Sequence, residues 1–196
     1  ACIVQPFYTT DLSRADELYK WELEALDKCD GSMDIIVFPE ACDVPCFAPT
    51  REIFLQSVEK YCEPLVKKAA ETARRCNSLL FINVTVDNRN TTLAFDRHGG
   101  IVGKYQKQHL TPGETAHRKL DSGYSFEFSE PYTVEIEGLK FGFLTCYDFY
   151  FYENFSNLAR QRLDIIIGCS HQRSDMQSAL ETMTKFCAYS TNSYVL

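Results

Sequence analysis

The sequence predicts an α/β fold with mixed sheets whose outer faces are covered by helices. Strand and helix signals alternate along the chain, which is typical of this class. Two apolar runs, "DIIVF" and "DIIIGCS", are continuous in the way of strands that are buried on both faces. Two tight turns indicate hairpins, so some neighbouring strands are antiparallel while others are joined by helical crossovers.

The first half of the chain alternates strands with helices. Ser13 and Asp16 are spaced as in a capping box, which predicts that the first helix begins near them. Pro64 falls inside the second helical pattern and is expected either to break it or to begin a new helix. The predicted strands of this half span residues 1–6, 34–38 and 78–86, and the predicted helical segments span residues 11–29 and 51–76.

The second half contains both hairpins and crossovers. The turn "DRHGG" joins one pair of strands, and Glu137-Gly138 joins another. A helix, a buried strand, a second helix and a last strand follow. These elements are predicted at residues 91–95 and 101–107 (first hairpin), 132–138 and 139–146 (second hairpin), 154–163 (helix), 164–170 (strand), 174–190 (helix) and 193–196 (strand).

Length and composition indicate a single domain at residues 1–196, large enough for a sizeable core. The net charge of −7 argues against a nucleic-acid binder, because such proteins carry a basic face. No apolar run approaches the roughly 20 residues of a membrane helix, so no membrane interaction is expected. The N-terminal "ACIVQPFYTT" lacks the basic segment of a signal peptide.

The nine cysteines are odd in number and spread along the chain. Without a secretory signal, this pattern predicts reduced thiols and a cytoplasmic location. Three glycosylation sequons occur, but the first lies inside a predicted strand, where a sugar would not fit. All three, at Asn83, Asn90 and Asn154, are therefore interpreted as chance.

Three polar side chains, Glu40, Lys107 and Cys146, stand at the ends of apolar strands, where sites form in α/β sheets. Taken singly they are a loop carboxylate, a surface ammonium and a buried filler. Together they offer a base, an oxyanion stabiliser aided by the backbone N–H of Tyr147, and a nucleophile. The nearby ammonium and N–H groups are expected to favour the Cys146 thiolate and to make it the most reactive of the thiols.

Two other arrangements of the reactive residues remain open. A histidine is the commoner partner of a nucleophilic cysteine, and His109 and His171 are both possible partners on sequence alone. A metal-binding module is the second, although the spacing is not that of a common zinc motif. Its four ligands would be Cys42, Cys46, Cys169 and His171. The thiol mechanism itself requires neither a metal nor a cofactor.

The segments "VFPEA", "GKYQKQHLTPGE" and "LTCYDFYFYE" resemble, in order and approximate spacing, the three motif blocks of the nitrilase, or carbon–nitrogen hydrolase, superfamily. The resemblance implies a four-layer α-β-β-α sandwich of mixed sheets. It also implies that Glu40 is the general base and acid, that Lys107 stabilises the oxyanion and that Cys146 is the nucleophile. Substrate-binding or supporting roles are implied for Glu114, Tyr147 and Asp148.

The implied reaction is hydrolysis of a non-peptide carbon–nitrogen bond in a small amide, carbamoyl compound or nitrile, through a cysteine thioester. Family members commonly pair through the helix after the cysteine and the late helix, so a homodimer or larger assembly is expected. Family domains also continue beyond the last strand, so residues 1–196 are expected to lack a C-terminal part.

One departure from the family pattern leaves the substrate class open. The family commonly has Arg-Phe-Pro-Glu shortly after the cysteine, whereas this chain has Tyr150-Phe151-Tyr152-Glu153. A change in this turn is expected to alter the pocket wall. The alternative hypothesis is a catalytically inactive member of the family that binds a ligand or a partner.

Overall fold

The computed structural model describes residues 1–123, 131–172 and 176–196. Within these ranges the strands form two sheets, one of five strands and one of four. Helices lie on the outer face of each sheet, and the two inner faces pack together. The predicted four-layer α-β-β-α sandwich of mixed sheets is therefore confirmed.

The first sheet has the strand order β1-β2-β3-β4-β5. Its first three strands are parallel, and β3, β4 and β5 are antiparallel neighbours. Two helices, α1 and α2, form the crossovers between the parallel strands. The bounds are Cys2–Ile3 (β1), Ala15–Lys28 (α1), Ile35–Val37 (β2), Arg51–Cys76 (α2), Leu79–Val86 (β3), Arg89–Phe95 (β4) and Ile101–Gln106 (β5).

The second sheet has the order β6-β7-β8-β9. A hairpin joins β6 to β7, and β7, β8 and β9 are parallel. A short helix, α3, lies between the two sheets in the chain, and α4 and α5 are the crossovers of the second sheet. The bounds are Pro112–Ala116 (α3), Thr133–Ile136 (β6), Leu139–Thr145 (β7), Tyr152–Ala159 (α4), Ile165–Cys169 (β8), Gln177–Thr191 (α5) and Tyr194–Val195 (β9).

Three apolar layers hold this arrangement together. Successive residues of a strand face opposite sides, so β3 directs Leu80 and Ile82 towards the helices and Leu79 and Phe81 towards the second sheet. Members of the layers are Leu26, Leu65 and Ile82 between the first sheet and its helices, Phe81, Phe141 and Ile167 between the sheets, and Leu144, Leu158 and Cys187 between the second sheet and its helices.

The hairpin predictions are confirmed. The turn at residues 96–100 joins β4 to β5, and Glu137-Gly138 joins β6 to β7. A further hairpin, between β3 and β4, was not predicted; Asp87 and Asn88 form its turn, both with left-handed backbone conformations. Asp and Asn tolerate this conformation better than most residues, which makes such a turn possible without glycine.

Two predictions about helices are wrong. Pro64 does not break α2, which is continuous through it. Pro64 and Lys60, the residue one turn earlier, both face solvent, so the carbonyl that loses its partner can be hydrated. Ser13 and Asp16 do not form a capping box: Ser13 lies in a 3₁₀ turn, Leu12–Arg14, and donates from its backbone to Asp11 Oδ1 at 3.0 Å.

Other differences concern the ends of elements. The strand predicted at residues 1–6 is shortened to β1, and the helix predicted at residues 154–163 begins earlier, at Tyr152, and ends at Ala159. The predicted start of the last helix, at residues 174 and 175, lies outside the described residues. No helix in the described ranges is both long enough and apolar enough to cross a membrane.

The two predicted hairpin turns offer a matched test of packing. Gly99 and Gly138 share a φ of 77°. A Cβ added at Gly99 would lie 2.4 Å from the carbonyl oxygen of Ala70 in α2, whereas one at Gly138 would meet no atom within 4 Å. Gly138→Ala is expected to destabilise the fold by about 1–2 kcal/mol through backbone strain alone. Gly99→Ala should destabilise the fold by about 1–3 kcal/mol more than Gly138→Ala does, because the turn must also move away from α2.

Urea unfolding of both variants measures the difference between them. Since the backbone strain is common to both, Gly138→Ala is the control for it. Equal destabilisation would mean that the turn at residues 96–100 does not pack on α2.

Candidate active site

Three strand ends converge on one cavity. Glu40 lies just beyond β2, Lys107 directly follows β5, and Cys146 directly follows β7. All three line a cavity of about 180 Å³, together with Glu114 and His171. The structure thus brings together the three residues that the sequence singled out, from two different sheets.

The ammonium group of Lys107 is the buried centre of this cluster. Its Nζ lies 2.8 Å from Glu40 Oε1 and 2.7 Å from Glu114 Oε2, and the side chain is 1% exposed. Burial alone would lower the pKa of Lys107, but the charges of Glu40 and Glu114 outweigh it and raise the pKa. Lys107 is therefore held as a cation between two carboxylates.

Two asparagines tie the carboxylates to the first sheet. Asn90 Nδ2 donates to Glu40 Oε1 at 2.9 Å and to Glu114 Oε1 at 2.8 Å. Its own carbonyl oxygen accepts from Asn83 Nδ2 at 2.7 Å, and Asn83 Oδ1 accepts from the backbone of Ala41 at 2.8 Å. The side chain of Glu40 and the backbone of Ala41 are thus held by side chains of β4 and β3.

These contacts also bear on the three sequons. Asn83 and Asn90 are 0% and 4% exposed, and their amides are used inside the protein. Asn154 is also buried and donates to the carbonyl oxygen of Asp148 at 2.8 Å. None of the three amide groups is accessible to a glycosylating enzyme in this fold, in agreement with the interpretation that the sequons are chance.

Glu114 owes its position to the start of α3. Thr111 caps this helix: its Oγ1 accepts from the backbone N–H of Glu114 at 3.3 Å, and Glu114 Oε2 accepts from the backbone N–H of Thr111 at 2.8 Å. This reciprocal capping box fixes the carboxylate against the loop that carries it. The second carboxylate around Lys107 is therefore held before any substrate is present.

Cys146 occupies a sharp bend at the end of β7. Its φ of 47° lies in the left-handed region, which is strained for a residue with a side chain. The backbone N–H donates to Ser170 Oγ at 3.1 Å, and Sγ lies 3.8 Å from the carbonyl oxygen of His171. The bend begins a 3₁₀ turn, Cys146–Tyr150, and leaves the thiol facing the cavity.

The expectation that this environment favours the thiolate is wrong. Burial raises the pKa of the Cys146 thiol, and the negative charge of Glu40 raises it further; Lys107 opposes this effect without cancelling it. The reason is that the charge of Lys107 already serves Glu40 and Glu114. The site thus holds a neutral thiol beside a carboxylate that can accept its proton.

Asp148 is a structural clamp below the site. It is fully buried, and its Oδ2 accepts from Tyr105 Oη at 2.7 Å and from the backbone of Thr145 at 2.9 Å. Its Oδ1 accepts from the backbone N–H of His109 at 2.8 Å, and His109 Nδ1 lies 2.9 Å away. Asp148 thereby links the segment around Lys107 to the bend at Cys146.

The remaining predicted residues surround the centre without joining it. The ring of Tyr147 packs against Tyr150 and Phe151, with ring centroids 5.4 and 5.2 Å apart. His109 stacks on Phe151, and its ring nitrogen contacts Asp148 rather than the thiol. His171 lines the cavity, and its ring packs edge-on against Tyr8.

The hypothesis of a metal-binding module finds no support among the residues that the structure describes. They contain no group of three or more His, Cys, Asp or Glu residues able to hold a metal ion. Cys42 Sγ donates to the carbonyl oxygen of Pro39, and Cys46 Sγ donates to that of Asp11, so the two thiols of "CDVPC" have separate partners.

Sequence reasoning missed Asn90, which donates to both Glu40 and Glu114, and Asn83, which donates to Asn90. A signal was present, because Asn83 is a polar residue within a continuous apolar strand and a buried amide needs partners. The capping role of Thr111 also had a signal in the spacing of Thr111 and Glu114.

Comparison with known proteins gives a family match over nearly the whole chain. The sequence model of the carbon–nitrogen hydrolases matches residues 3–196. Vanin-like protein 3 of Drosophila melanogaster is 27% identical over an alignment 171 residues long, which covers 71% of this chain and 30% of that protein. The chain thus matches less than a third of the length of that relative.

Solved structures of similar fold cover almost all of the chain. An amidase from Nesterenkonia sp. aligns with 98% of this chain and 74% of its own, with a TM-score of 0.70 and 18% identity. A CN-hydrolase superfamily protein from Xanthomonas campestris aligns with 98% of this chain and 73% of its own, with a TM-score of 0.74 and 18% identity. At these identities the likeness establishes the fold.

Removing the buried ammonium tests its structural role. Lys107→Met leaves Glu40 and Glu114 buried without a cation, so we expect a loss of about 3–5 kcal/mol of stability at pH 7. In the variant, the two buried carboxyl groups should bind protons more tightly in the folded chain than in the unfolded chain. The stability of the variant should therefore fall as pH rises from about 4 to 7. In the native chain the pKa of Lys107 is raised. Its contribution to folding stability is therefore complete below a pH of about 10.4, the ordinary pKa of lysine.

Urea unfolding at a series of pH values measures both effects. The double variant Lys107→Met/Glu114→Gln is the control and should recover part of the lost stability at pH 7, because one charge is gone. A single variant as stable as the native chain would show that the ammonium does not hold the carboxylates together.

The state of the thiol can be measured by alkylation. Because the pKa of Cys146 is raised, its rate of reaction with iodoacetamide should climb steadily with pH from 6 to 9, without the plateau of a preformed thiolate. Glu40→Gln removes a charge that raises this pKa, so the profile should shift to lower pH. Peptide mapping assigns the labelled residue, and a plateau beginning near pH 6 in the native chain would contradict the assigned neutral thiol.

Proposed function

The chain belongs to the carbon–nitrogen hydrolase family, and on that premise we propose that it hydrolyses a small amide, carbamoyl compound or nitrile through a thioester on Cys146. The observation that carries the proposal is the buried cluster in which Lys107 bridges Glu40 and Glu114 beside the thiol. Two acidic side chains and a cation at nine-tenths burial or more are costly to maintain without a use.

In the first half-reaction, Glu40 takes the proton of Cys146 as sulfur attacks the electrophilic carbon of the substrate. A carbon–sulfur bond forms, and the electron pair of the carbonyl moves onto oxygen. The ammonium of Lys107 and the backbone N–H of Tyr147 stabilise that oxyanion. When the carbon–nitrogen bond breaks, Glu40 returns its proton to the leaving nitrogen, so amine or ammonia departs and an acyl thioester remains.

In the second half-reaction, water replaces the amine. Glu40 takes a proton from the water, and the oxygen attacks the thioester carbon. The carbon–sulfur bond then breaks, and the sulfur recovers the proton from Glu40. The same carboxylate thus serves as base and acid in both halves, and the thiol returns to its neutral resting form.

The comparisons support a small amide as substrate. Two solved structures are of mutants of the amidase from Nesterenkonia sp. AN1. One shows Michael addition of acrylamide at the active-site cysteine, and the other is a complex with butyramide. The cavity beside Cys146, at about 180 Å³, suits an acyl group of similar size. We therefore place small amides ahead of nitriles and carbamoyl compounds.

The same proposal includes the domain organisation, the assembly and the location of the protein. Residues 1–196 are assigned to one catalytic domain, and a homodimer is assigned through α4 and α5. Support for the dimer comes from aromatic side chains of this face, since Tyr152, Phe186 and Tyr189 are 70%, 53% and 87% exposed. A cytoplasmic location stays a prediction from the sequence.

Release of ammonia from a panel of amides, carbamoyl compounds and nitriles tests the mechanism. Cys146→Ala and Glu40→Gln should each abolish hydrolysis, and Lys107→Met should lower it about 10²-fold or more, because oxyanion stabilisation is lost. The matched control is Cys169→Ala, which removes the thiol at the end of the neighbouring strand β8 and should leave hydrolysis close to native.

An active Cys146→Ala or Glu40→Gln protein would overturn the thioester mechanism. A native chain that hydrolyses nothing in the panel would instead favour the inactive, ligand-binding alternative. Circular dichroism of each variant separates lost chemistry from lost folding.

A further inference from the structure

A second cavity adjoins the candidate active site on the other side of Glu40. It has a volume of about 220 Å³ and shares Glu40, Ala41 and His171 with the first cavity. Cys146 and Lys107 line only the first cavity. Glu40 therefore stands between a compartment that holds the thiol and a compartment that does not.

The second cavity has both apolar and polar walls, and besides Glu40 it contains one unusual acidic residue. Its walls include Phe7, Leu18, Val44 and Pro45, and Glu22 of α1 also lines it. Glu22 is 2% exposed, and its Oε2 has no hydrogen-bond partner in the described part of the chain. A carboxyl group removed from water without a partner is expensive, so its position calls for a complementary group.

The surroundings of Glu22 indicate the chemistry of that group. Asp43 is also buried nearby, and burial together with the charge of Asp43 raises the pKa of Glu22. Asp43 Oδ2 accepts from the backbone N–H of Thr85 at 2.8 Å, while its Oδ1 has no partner among the described residues. Among the described residues no cation lies within ion-pair distance of either side chain, so the two acidic groups suit a positively charged, hydrogen-bond-donating ligand.

The proposed reaction places one part of the substrate on this side. The acyl part must lie against Cys146 and Lys107, in the first cavity. The leaving nitrogen must face Glu40, because Glu40 supplies its proton. The group attached to that nitrogen is then directed past Glu40, towards the compartment lined by Glu22.

We propose that the second cavity receives the amine part of the substrate, and that Glu22 recognises a basic amino group at its far end. This inference rests on the proposed function and narrows it. The substrate class is an N-(aminoalkyl) amide, in which a short alkyl chain lies against the apolar part of the cavity wall. The products are the small carboxylic acid and a diamine.

Matched substrates test this assignment. An N-(aminoalkyl) amide, the N-alkyl amide of equal chain length and the primary amide should share one small acyl group, with several chain lengths compared. We expect kcat/KM for the aminoalkyl amide to exceed that for the N-alkyl amide about tenfold or more, the gain from one charge-assisted hydrogen bond. Glu22→Gln should remove most of this advantage, chiefly through KM.

The control variant is Glu24→Gln, on the same helix. Glu24 is exposed and lies near Lys20 rather than in the cavity, so its substitution should keep the native preference. Hydrolysis of the primary amide with no preference for the aminoalkyl amide would overturn the inference and leave the proposed function standing.

Direct binding tests the cavity without relying on turnover. Calorimetry on Cys146→Ala protein should show that an alkyl diamine binds about tenfold or more tightly than the alkyl monoamine of equal length, and that Glu22→Gln in this background removes the difference. Selective diamine binding in a chain that hydrolyses no amide would support the cavity and count against the proposed function. Equal binding of diamine and monoamine would overturn the assignment of Glu22.

Discussion

The structure depends on a buried ammonium group that must be neutralised from two directions at once. A lysine removed from water is stable as a cation only if carboxylates replace its hydration. Lys107 has two, Glu40 after β2 and Glu114 at the start of α3, each within 2.8 Å of Nζ. Two distant segments of the chain must therefore meet at the end of β5. That requirement fixes the geometry of the first cavity before any substrate enters.

The fold meets this requirement by dividing the site between its two sheets. Glu40 and Lys107 follow strands of the first sheet, and Cys146 follows a strand of the second. Asp148 joins these halves, because it accepts from Tyr105 of β5 and from the backbone of Thr145 in β7. The apolar layer between the sheets sets their separation, and this buried carboxylate sets how the strand ends are aligned.

The sequence predicted mixed sheets covered by helices, two of the three hairpins and three of the residues that line the cavity, because each leaves a local pattern. An apolar run ending on Glu40 or Cys146 can be recognised within a few positions. The state of the Cys146 thiol was predicted wrongly, because it depends on how the charge of Lys107 is shared among groups far apart in sequence. The continuity of α2 through Pro64 was missed for a similar reason, since packing of both halves of the helix outweighs a local preference. The second cavity, around Glu22, has no local signal at all.

A neutral thiol suits the charges of this site better than a permanent thiolate would. Glu40 and Glu114 already bring two negative charges to one ammonium, so a thiolate would be a third in a small buried volume. Moving the proton from Cys146 to Glu40 avoids this, because one negative charge replaces another. In the proposed mechanism the transfer becomes favourable when a carbon atom is present to accept the electron pair of sulfur. On that mechanism the reactive state is coupled to the arrival of substrate, and among nine thiols Cys146 is distinguished less by its resting charge than by the carboxylate and the ammonium beside it.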